Sequence, residues 1–139
     1  MSESVSTASV SFSTAFTRRV AAFAELGKDR ILALVLVVTS VGFALAAQEH
    51  SSVNLLALVH ALVGTALVAA GANALNQVLE STFDARMIRT QDRPVPSGRL
   101  TRREALAFGL TCGASGLLYL ALQTNALTCL IAGGTLVSY

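Results

Sequence analysis

Three apolar runs restrict the fold of this sequence more than any other feature. They cover residues 31–47, 53–72 and 105–122, which are lengths of 17, 20 and 18 residues. A helix needs about 17–25 mostly apolar residues to cross a bilayer. A fourth apolar run, residues 126–139, is too short to span comfortably. The sequence therefore predicts an all-α fold, a multi-pass bundle of transmembrane helices.

Composition and charge agree with a membrane protein. Of the 139 residues, 53% are hydrophobic and 13% are charged, which is too apolar for a typical soluble domain. All ten Lys and Arg residues lie within two segments, residues 18–30 and 86–103. By the positive-inside rule, the N-terminus and the second basic segment are expected on the cytoplasmic side. A lipid bilayer is the expected environment, and nothing in the sequence indicates a nucleic-acid partner.

The N-terminal part differs in composition from the rest. Residues 1–17 are rich in Ser, Thr and Ala with one acidic residue, which predicts a disordered tail. Residues 1–30 are thus expected to be a cytoplasmic tail and the approach to the first helix, and residues 31–139 part of a transmembrane domain. The tail has no basic segment before an apolar core, so a signal peptide is not predicted. A mitochondrial transit peptide is the minor alternative.

Local signals predict how the helices begin and end. The prolines and glycine within residues 94–98 interrupt the helical pattern after the second run. Thr101 and Glu104 have the spacing of a capping box, which predicts the start of the third helix. Residues 123–125 are expected to form a tight turn. Two pairs of glycines are expected to permit close helix contact: Gly113 with Gly116, and Gly133 with Gly134.

A polar segment, NQVLESTFDARMIRTQDRP at residues 76–94, follows directly after the second apolar run. Within it, Asn76, Glu80 and Asp84 are four residues apart and lie on one helix face, within an arc of about 80°. Oxygen-bearing side chains stacked in this way suit a hard divalent cation such as Mg²⁺. A solvated helix face is the alternative interpretation, but ionisable groups beside a membrane span favour function.

Two arginines follow the acidic residues closely in the sequence. Arg89 and Arg93 come within about two turns after Asp84. Guanidinium groups bind phosphate oxygens through two parallel hydrogen bonds. Arginines beside acidic metal ligands therefore point to a phosphorylated, metal-bound substrate.

The same segment resembles a known family. Its pattern, Asn-Gln-x-x-Glu-x-x-x-Asp followed by Met-x-Arg-Thr-x-x-Arg-Pro, is similar to the first Asp-rich motif of the UbiA-type intramembrane prenyltransferases. Within that superfamily it most resembles the protoheme IX farnesyltransferases (haem O synthases). The similarity extends from about Leu26 to the end of the chain and includes residues 96–100. Gly27 and Asp29 depart from the family's Thr-Lys-Pro-Arg pattern.

The resemblance implies an activity and its site. It implies a Mg²⁺ site on three side chains of one helix: Asn76, Glu80 and Asp84. It implies that the diphosphate of farnesyl diphosphate is bound by four basic side chains: Arg89, Arg93, Lys28 and Arg30. The prenyl chain would lie between helices, and the acceptor would be a vinyl group of haem B, which would become haem O.

The resemblance also implies a location and partners. It implies the inner (plasma) membrane, with the mitochondrial inner membrane as the alternative, and makes haem A synthase or a terminal oxidase assembly candidate partners. Members of that family are longer and carry a second acidic motif, so we expect a truncated chain that is inactive by itself. The alternatives are another UbiA-type prenyltransferase acting on an aromatic or quinone precursor, and a non-catalytic membrane remnant.

Other polar residues within the apolar runs are interpreted as structural. His60 is 16 residues before Asn76, about 24 Å along a helix. It is a conceivable haem ligand, but a hydrogen-bonded packing role is expected. Cys112 and Cys129 lack the spacing of metal ligands and are expected to be small packing residues.

Overall fold

The computed structural model describes residues 16–26, 30–48 and 54–138. The described residues contain five helices and no strand, so the predicted all-α class is confirmed. Helix α1 covers residues 16–26, and the others are α2 (Arg30–Gln48), α3 (Leu55–Asp84), α4 (Arg102–Gln123) and α5 (Ala126–Ser138). Helices α2, α3 and α4 are long and apolar enough to cross a membrane.

Helix α3 is the longest element and carries the polar segment. Its 30 residues correspond to a length of about 45 Å, more than the hydrocarbon thickness of a bilayer. Its N-cap is Asn54, whose side chain accepts hydrogen bonds from the N–H groups of Leu56 and Ala57. The helix continues past its apolar part without a break as far as Asp84. The polar side chains of this end are therefore held on the same rigid element as the span.

Helices α3 and α4 form the most extensive helix pair, and glycines allow their close approach. A β-carbon at Gly71 would lie 2.6 Å from the backbone nitrogen of Gly113, and one at Gly116 would lie 2.8 Å from that of Val68. The predicted role of Gly113 and Gly116 is thus confirmed. A β-carbon at Gly134 would meet nothing within 4 Å, so the prediction that this glycine permits close contact is wrong.

The predicted start and end of α4 are confirmed. The Thr101 hydroxyl accepts a hydrogen bond from the Glu104 N–H at 3.2 Å, and the Glu104 carboxylate accepts one from the Thr101 N–H at 2.9 Å. This reciprocal pair satisfies two backbone donors that the first turn would otherwise leave unpaired. Helix α4 ends at Gln123 and α5 begins three residues later, which leaves the tight turn predicted there.

Helix α1 was not predicted. The expected disordered tail, residues 1–17, overlaps its first two described residues, which are already helical. The helix packs on the ends of α3 and α4 and on the loop between them. The contact is a cluster of buried apolar side chains: Ala22, Leu26, Ala74, Val95, Leu100 and Ala105. The rings of Phe23 and Phe108 meet beside this cluster with centroids 5.5 Å apart.

Two ion pairs surround this contact. Arg19 lies 2.6 Å from Glu104, and the Arg99 guanidinium binds the Glu25 carboxylate through two nitrogens, at 2.7 and 2.9 Å. Hydrogen bonding to Glu25 raises the pKa of Arg99, because the carboxylate stabilises the charged guanidinium. Helix α1 thereby fixes the loop of residues 85–101, which forms one wall of the candidate site.

Candidate functional site

The C-terminal end of α3 forms one side of a cavity of about 450 Å³. Five polar side chains of α3 line it: Asn73, Asn76, Gln77, Glu80 and Asp84. At 100° per residue they lie within an arc of about 100°, so a single helix face presents all of them to the cavity. The loop after α3 contributes Arg89 and Arg93 to the opposite wall. The structure thus brings five of the seven predicted site residues to one cavity.

The first two predicted metal ligands contact each other. The Asn76 amide nitrogen donates a hydrogen bond to Glu80 Oε2 at 3.0 Å. Glu80 is exposed to the cavity, whereas Asn76 is half-buried. Because the amide nitrogen of Asn76 makes this bond, its oxygen is left as an acceptor or ligand atom.

The third predicted ligand, Asp84, is buried, and its side chain is only 6% exposed. Its Oδ2 accepts a hydrogen bond from Arg93 Nη1 at 3.1 Å. Its backbone carbonyl accepts hydrogen bonds from the Thr90 hydroxyl and from the Met87 N–H, both at 3.1 Å. The turns that follow α3 therefore close over the helix end and hold Arg93 at the cavity wall.

The remaining predicted basic residues are placed differently. Arg89 is exposed and lines the cavity. Arg30 is exposed at the start of α2, where Ile31 and not Arg30 lines the cavity. Lys28 lies outside the described residues. The structure therefore brings Arg89 and Arg93 to the acidic residues, and it does not bring Arg30 there.

The oxygen donors of this cavity fit a Mg²⁺ ion. Two residues with carboxylates, Glu80 and Asp84, and Asn76, whose amide oxygen is free of its hydrogen bond to Glu80, line the same space. Magnesium prefers oxygen ligands and is typically held by one or two carboxylates together with substrate phosphates. Across residues 16–26, 30–48 and 54–138 there is no group of three or more His, Cys, Asp or Glu side chains that could hold a metal ion.

Two buried amide atoms in the cavity wall have no hydrogen-bond partner among the described residues. They are Asn73 Nδ2 and Gln77 Oε1, and each residue is only 5% exposed. A buried amide without a partner is unfavourable, and native proteins usually avoid it outside functional sites. Sequence analysis assigned no role to either side chain. The helical periodicity contained the signal, because Asn73 falls within the arc from Asn76 to Asp84.

A second cavity of about 530 Å³ adjoins the first. It lies between α2, α3 and α5 and has mainly apolar walls, which include Leu34, Val68 and Ile131. Ile31 and Asn73 line both cavities. A polar cavity and an apolar cavity thus meet at these two residues.

The other polar residues of the spans lie away from this site. His60 Nδ1 is 2.7 Å from the Tyr119 hydroxyl oxygen, which agrees with the hydrogen-bonded packing role expected for this histidine. Cys112 and Cys129 are free, half-buried thiols on α4 and α5. The Cys129 thiol donates a hydrogen bond to the Leu117 carbonyl at 3.5 Å. Neither cysteine lines either of the two cavities.

Three curated relatives of this chain carry the same name. A protoheme IX farnesyltransferase from Solibacter usitatus is 40% identical over 124 residues, which cover 84% of this chain and 42% of the relative. A mitochondrial protoheme IX farnesyltransferase from Arabidopsis thaliana is 37% identical over 83% of this chain and 26% of its own length. A protoheme IX farnesyltransferase from Trichodesmium erythraeum is 40% identical over 83% of this chain and 34% of its own length.

The chain thus spans less than half the length of these curated relatives. No solved structure matches it. The model of the UbiA prenyltransferase family matches residues 35–139, which is well over half of the chain and includes all residues that line the two cavities except Ile31 and Leu34. The chain belongs to the UbiA prenyltransferase family.

Proposed function

We propose that this chain forms the prenyl-diphosphate site of a protoheme IX farnesyltransferase. One observation carries the proposal: a cavity with two carboxylates and two arginines adjoins an apolar cavity between membrane-spanning helices. This pair of cavities suits an amphiphilic ligand that has an anionic, metal-binding head and a hydrocarbon tail. An allylic diphosphate such as farnesyl diphosphate has this chemistry.

The names of the relatives support the choice of acceptor. All three relatives are named protoheme IX farnesyltransferases, and 37–40% identity over most of this chain supports the same acceptor here. The proposed reaction transfers a farnesyl group to a vinyl group of haem B and yields haem O.

Arginines would bind the diphosphate. The guanidinium groups of Arg89 and Arg93 line the polar cavity, and each can donate paired hydrogen bonds to phosphate oxygens. The ion pair with Asp84 limits the rotation of Arg93 before the ligand arrives. A preoriented guanidinium loses less conformational entropy on binding.

Asn76, Glu80 and Asp84 would hold Mg²⁺ against the diphosphate. A bound Mg²⁺ supplies positive charge that stabilises the departing diphosphate. The arginines add to this stabilisation, because they face the oxygens on which negative charge increases as the bond breaks.

The apolar cavity would hold the prenyl chain and exclude water from the reacting carbon. The bond between the first carbon and the ester oxygen breaks, and its electron pair leaves with the diphosphate. The vinyl group of haem B supplies the electron pair of the new carbon–carbon bond. Water then adds to the resulting cation and loses a proton, which completes the hydroxyethylfarnesyl group.

The basic segments favour a cytoplasmic position for the N-terminus and for the loop of residues 85–101. Farnesyl diphosphate would then enter from the cytoplasm. The plasma membrane is the proposed location, with haem A synthase or a terminal oxidase assembly as the partner that receives haem O.

Binding and product formation test the proposal. In detergent micelles, the chain is expected to bind farnesyl diphosphate only when Mg²⁺ is present. Asp84→Asn should weaken this binding at least tenfold. The control Arg86→Gln changes an exposed residue outside the cavity and should not weaken the binding. Membranes that contain the protein are then supplied with haem B or 4-hydroxybenzoate. Haem O supports the proposal, prenylated 4-hydroxybenzoate indicates another UbiA-type activity, and failure to bind farnesyl diphosphate contradicts the proposal.

A further inference from the structure

Asn73 occupies a distinct position within the site. It is one helical turn closer to the span than Asn76, and it lines both the polar and the apolar cavity. On α3, the apolar cavity extends from Thr65 to Asn73, about 12 Å along the axis, and the polar cavity extends from Asn73 to Asp84, about 16 Å. Asn73 therefore marks the boundary between the two cavities on this helix.

The side chain of Asn73 is buried and incompletely bonded. The residue is 5% exposed, and its Nδ2 has no hydrogen-bond partner among the described residues. A buried amide donor without an acceptor costs free energy that an apolar side chain of similar shape would avoid. Nδ2 itself is inaccessible, so an acceptor of a ligand at this boundary would remove that cost once the amide turns toward it.

We propose, on the basis of the function proposed above, that Asn73 contacts the substrate at the junction of its two halves. Asn73 Nδ2 donates a hydrogen bond to the ester oxygen that joins the first carbon of the isoprenoid chain to the diphosphate. This oxygen is the atom where an apolar chain and an anionic head meet, as the two cavities meet at Asn73. It also receives the electron pair when the carbon–oxygen bond breaks, so the donor stabilises the leaving group.

Three ligands separate this contact from other effects: farnesyl diphosphate, its analogue with sulfur in place of the ester oxygen, and inorganic pyrophosphate. Sulfur is a weak hydrogen-bond acceptor, and pyrophosphate fills only the polar cavity. Their dissociation constants are measured with Mg²⁺ for the wild-type chain, for Asn73→Leu and for Thr111→Val. Leu has a shape similar to that of Asn, and Thr111→Val is the matched control, because it removes the hydroxyl of an exposed α4 residue that lines neither cavity.

We expect Asn73→Leu to weaken farnesyl diphosphate binding about tenfold and to change binding of the sulfur analogue and of pyrophosphate less than about twofold. Wild type and Thr111→Val should prefer the oxygen ligand over the sulfur ligand, and Asn73→Leu should not. The variant should also melt at the same or a higher temperature than wild type, because it removes a buried, unpaired amide. A melting temperature that does not fall shows that the weaker binding comes from the lost contact and not from a loss of folding.

Unchanged farnesyl diphosphate binding by Asn73→Leu would overturn the proposed contact, and so would an equal loss for all three ligands. A lower melting temperature would also overturn it, because it would show that the amide has a structural partner. If the wild-type chain does not bind farnesyl diphosphate, the function proposed above fails too. If only the proposed Asn73 contact is wrong, the wild-type chain still binds farnesyl diphosphate, and the failure is seen only in the measurements on Asn73→Leu.

Discussion

Arg93 Nη1 lies 3.1 Å from Asp84 Oδ2, and this ion pair connects the last residue of α3 to the loop that follows it. The carboxylate is nearly inaccessible, whereas the Arg93 side chain keeps 29% of its surface exposed at the cavity. The pair therefore stabilises a buried charge and also presents a cation to the site.

Arg93→Met should destabilise the fold, because it removes a cationic partner from the buried carboxylate of Asp84. We expect a loss of about 1–3 kcal/mol in the free energy of unfolding. Chemical denaturation in detergent micelles measures this loss of unfolding free energy. The control is Arg86→Met, an exposed arginine outside the cavity, for which less than about 0.5 kcal/mol is expected. Equal losses for the two variants would contradict the structural role of the pair.

Gly71→Ala should weaken the contact between α3 and α4. The new β-carbon would lie 2.6 Å from the backbone of Gly113, so the two helices must move apart. We expect the free energy of unfolding to fall by about 1–3 kcal/mol, which circular dichroism would show as a lower melting temperature. Gly134→Ala is the matched control, because its β-carbon meets nothing within 4 Å and Ala favours a helix over Gly. Destabilisation by Gly134→Ala as large as that by Gly71→Ala would refute the explanation.

Leu26→Ala should release α1 from the bundle, because Leu26 is fully buried in the contact. We expect the free energy of local unfolding of α1 to fall by about 2–4 kcal/mol. Amide hydrogen exchange in residues 16–26 should therefore become faster. Glu25→Gln, which removes only the exposed ion pair with Arg99, should cost less than about 1 kcal/mol. The prediction is wrong if Glu25→Gln has the larger effect on exchange.

Tyr119→Phe tests the role of His60. The substitution removes the hydroxyl that lies 2.7 Å from His60 Nδ1 and should cost about 1 kcal/mol of stability. Binding of farnesyl diphosphate should remain unchanged, because His60 is about 24 Å along α3 from Asn76. Titration calorimetry of Tyr119→Phe and His60→Ala checks this expectation. Weaker binding by either variant would assign the histidine to the functional site.

Local signals predicted the parts of the fold that depend on neighbouring residues. The apolar runs predicted the three long helices, and the spacing of Thr101 and Glu104 predicted the cap of α4. The periodicity of Asn76, Glu80 and Asp84 placed these residues on one face, and all three line the polar cavity.

The parts that depend on distant residues were not predicted. The ion-pair partners of α1 lie 74 and 85 residues further along the chain, so no local pattern reveals its docking. Asn73 was overlooked because its significance comes from the apolar cavity, which α2 and α5 complete. The sequence also suggested Arg30 as a diphosphate ligand, but on α2 it is the neighbouring residue, Ile31, that lines the cavity.

The contact between Arg19 and Glu104 has a consequence for how the chain inserts during synthesis. Two residues that touch outside the bilayer lie on the same side of it, so the number of crossings between them is even. Helices α2 and α3 are each long and apolar enough to cross a membrane, and together they would supply two crossings. The docking surface of α1 exists only once α4 has begun to emerge, and a chain that failed to insert one of the two helices would keep Arg19 and Glu104 on opposite sides. The contact thus distinguishes a chain in which both helices cross from one in which only one of them crosses.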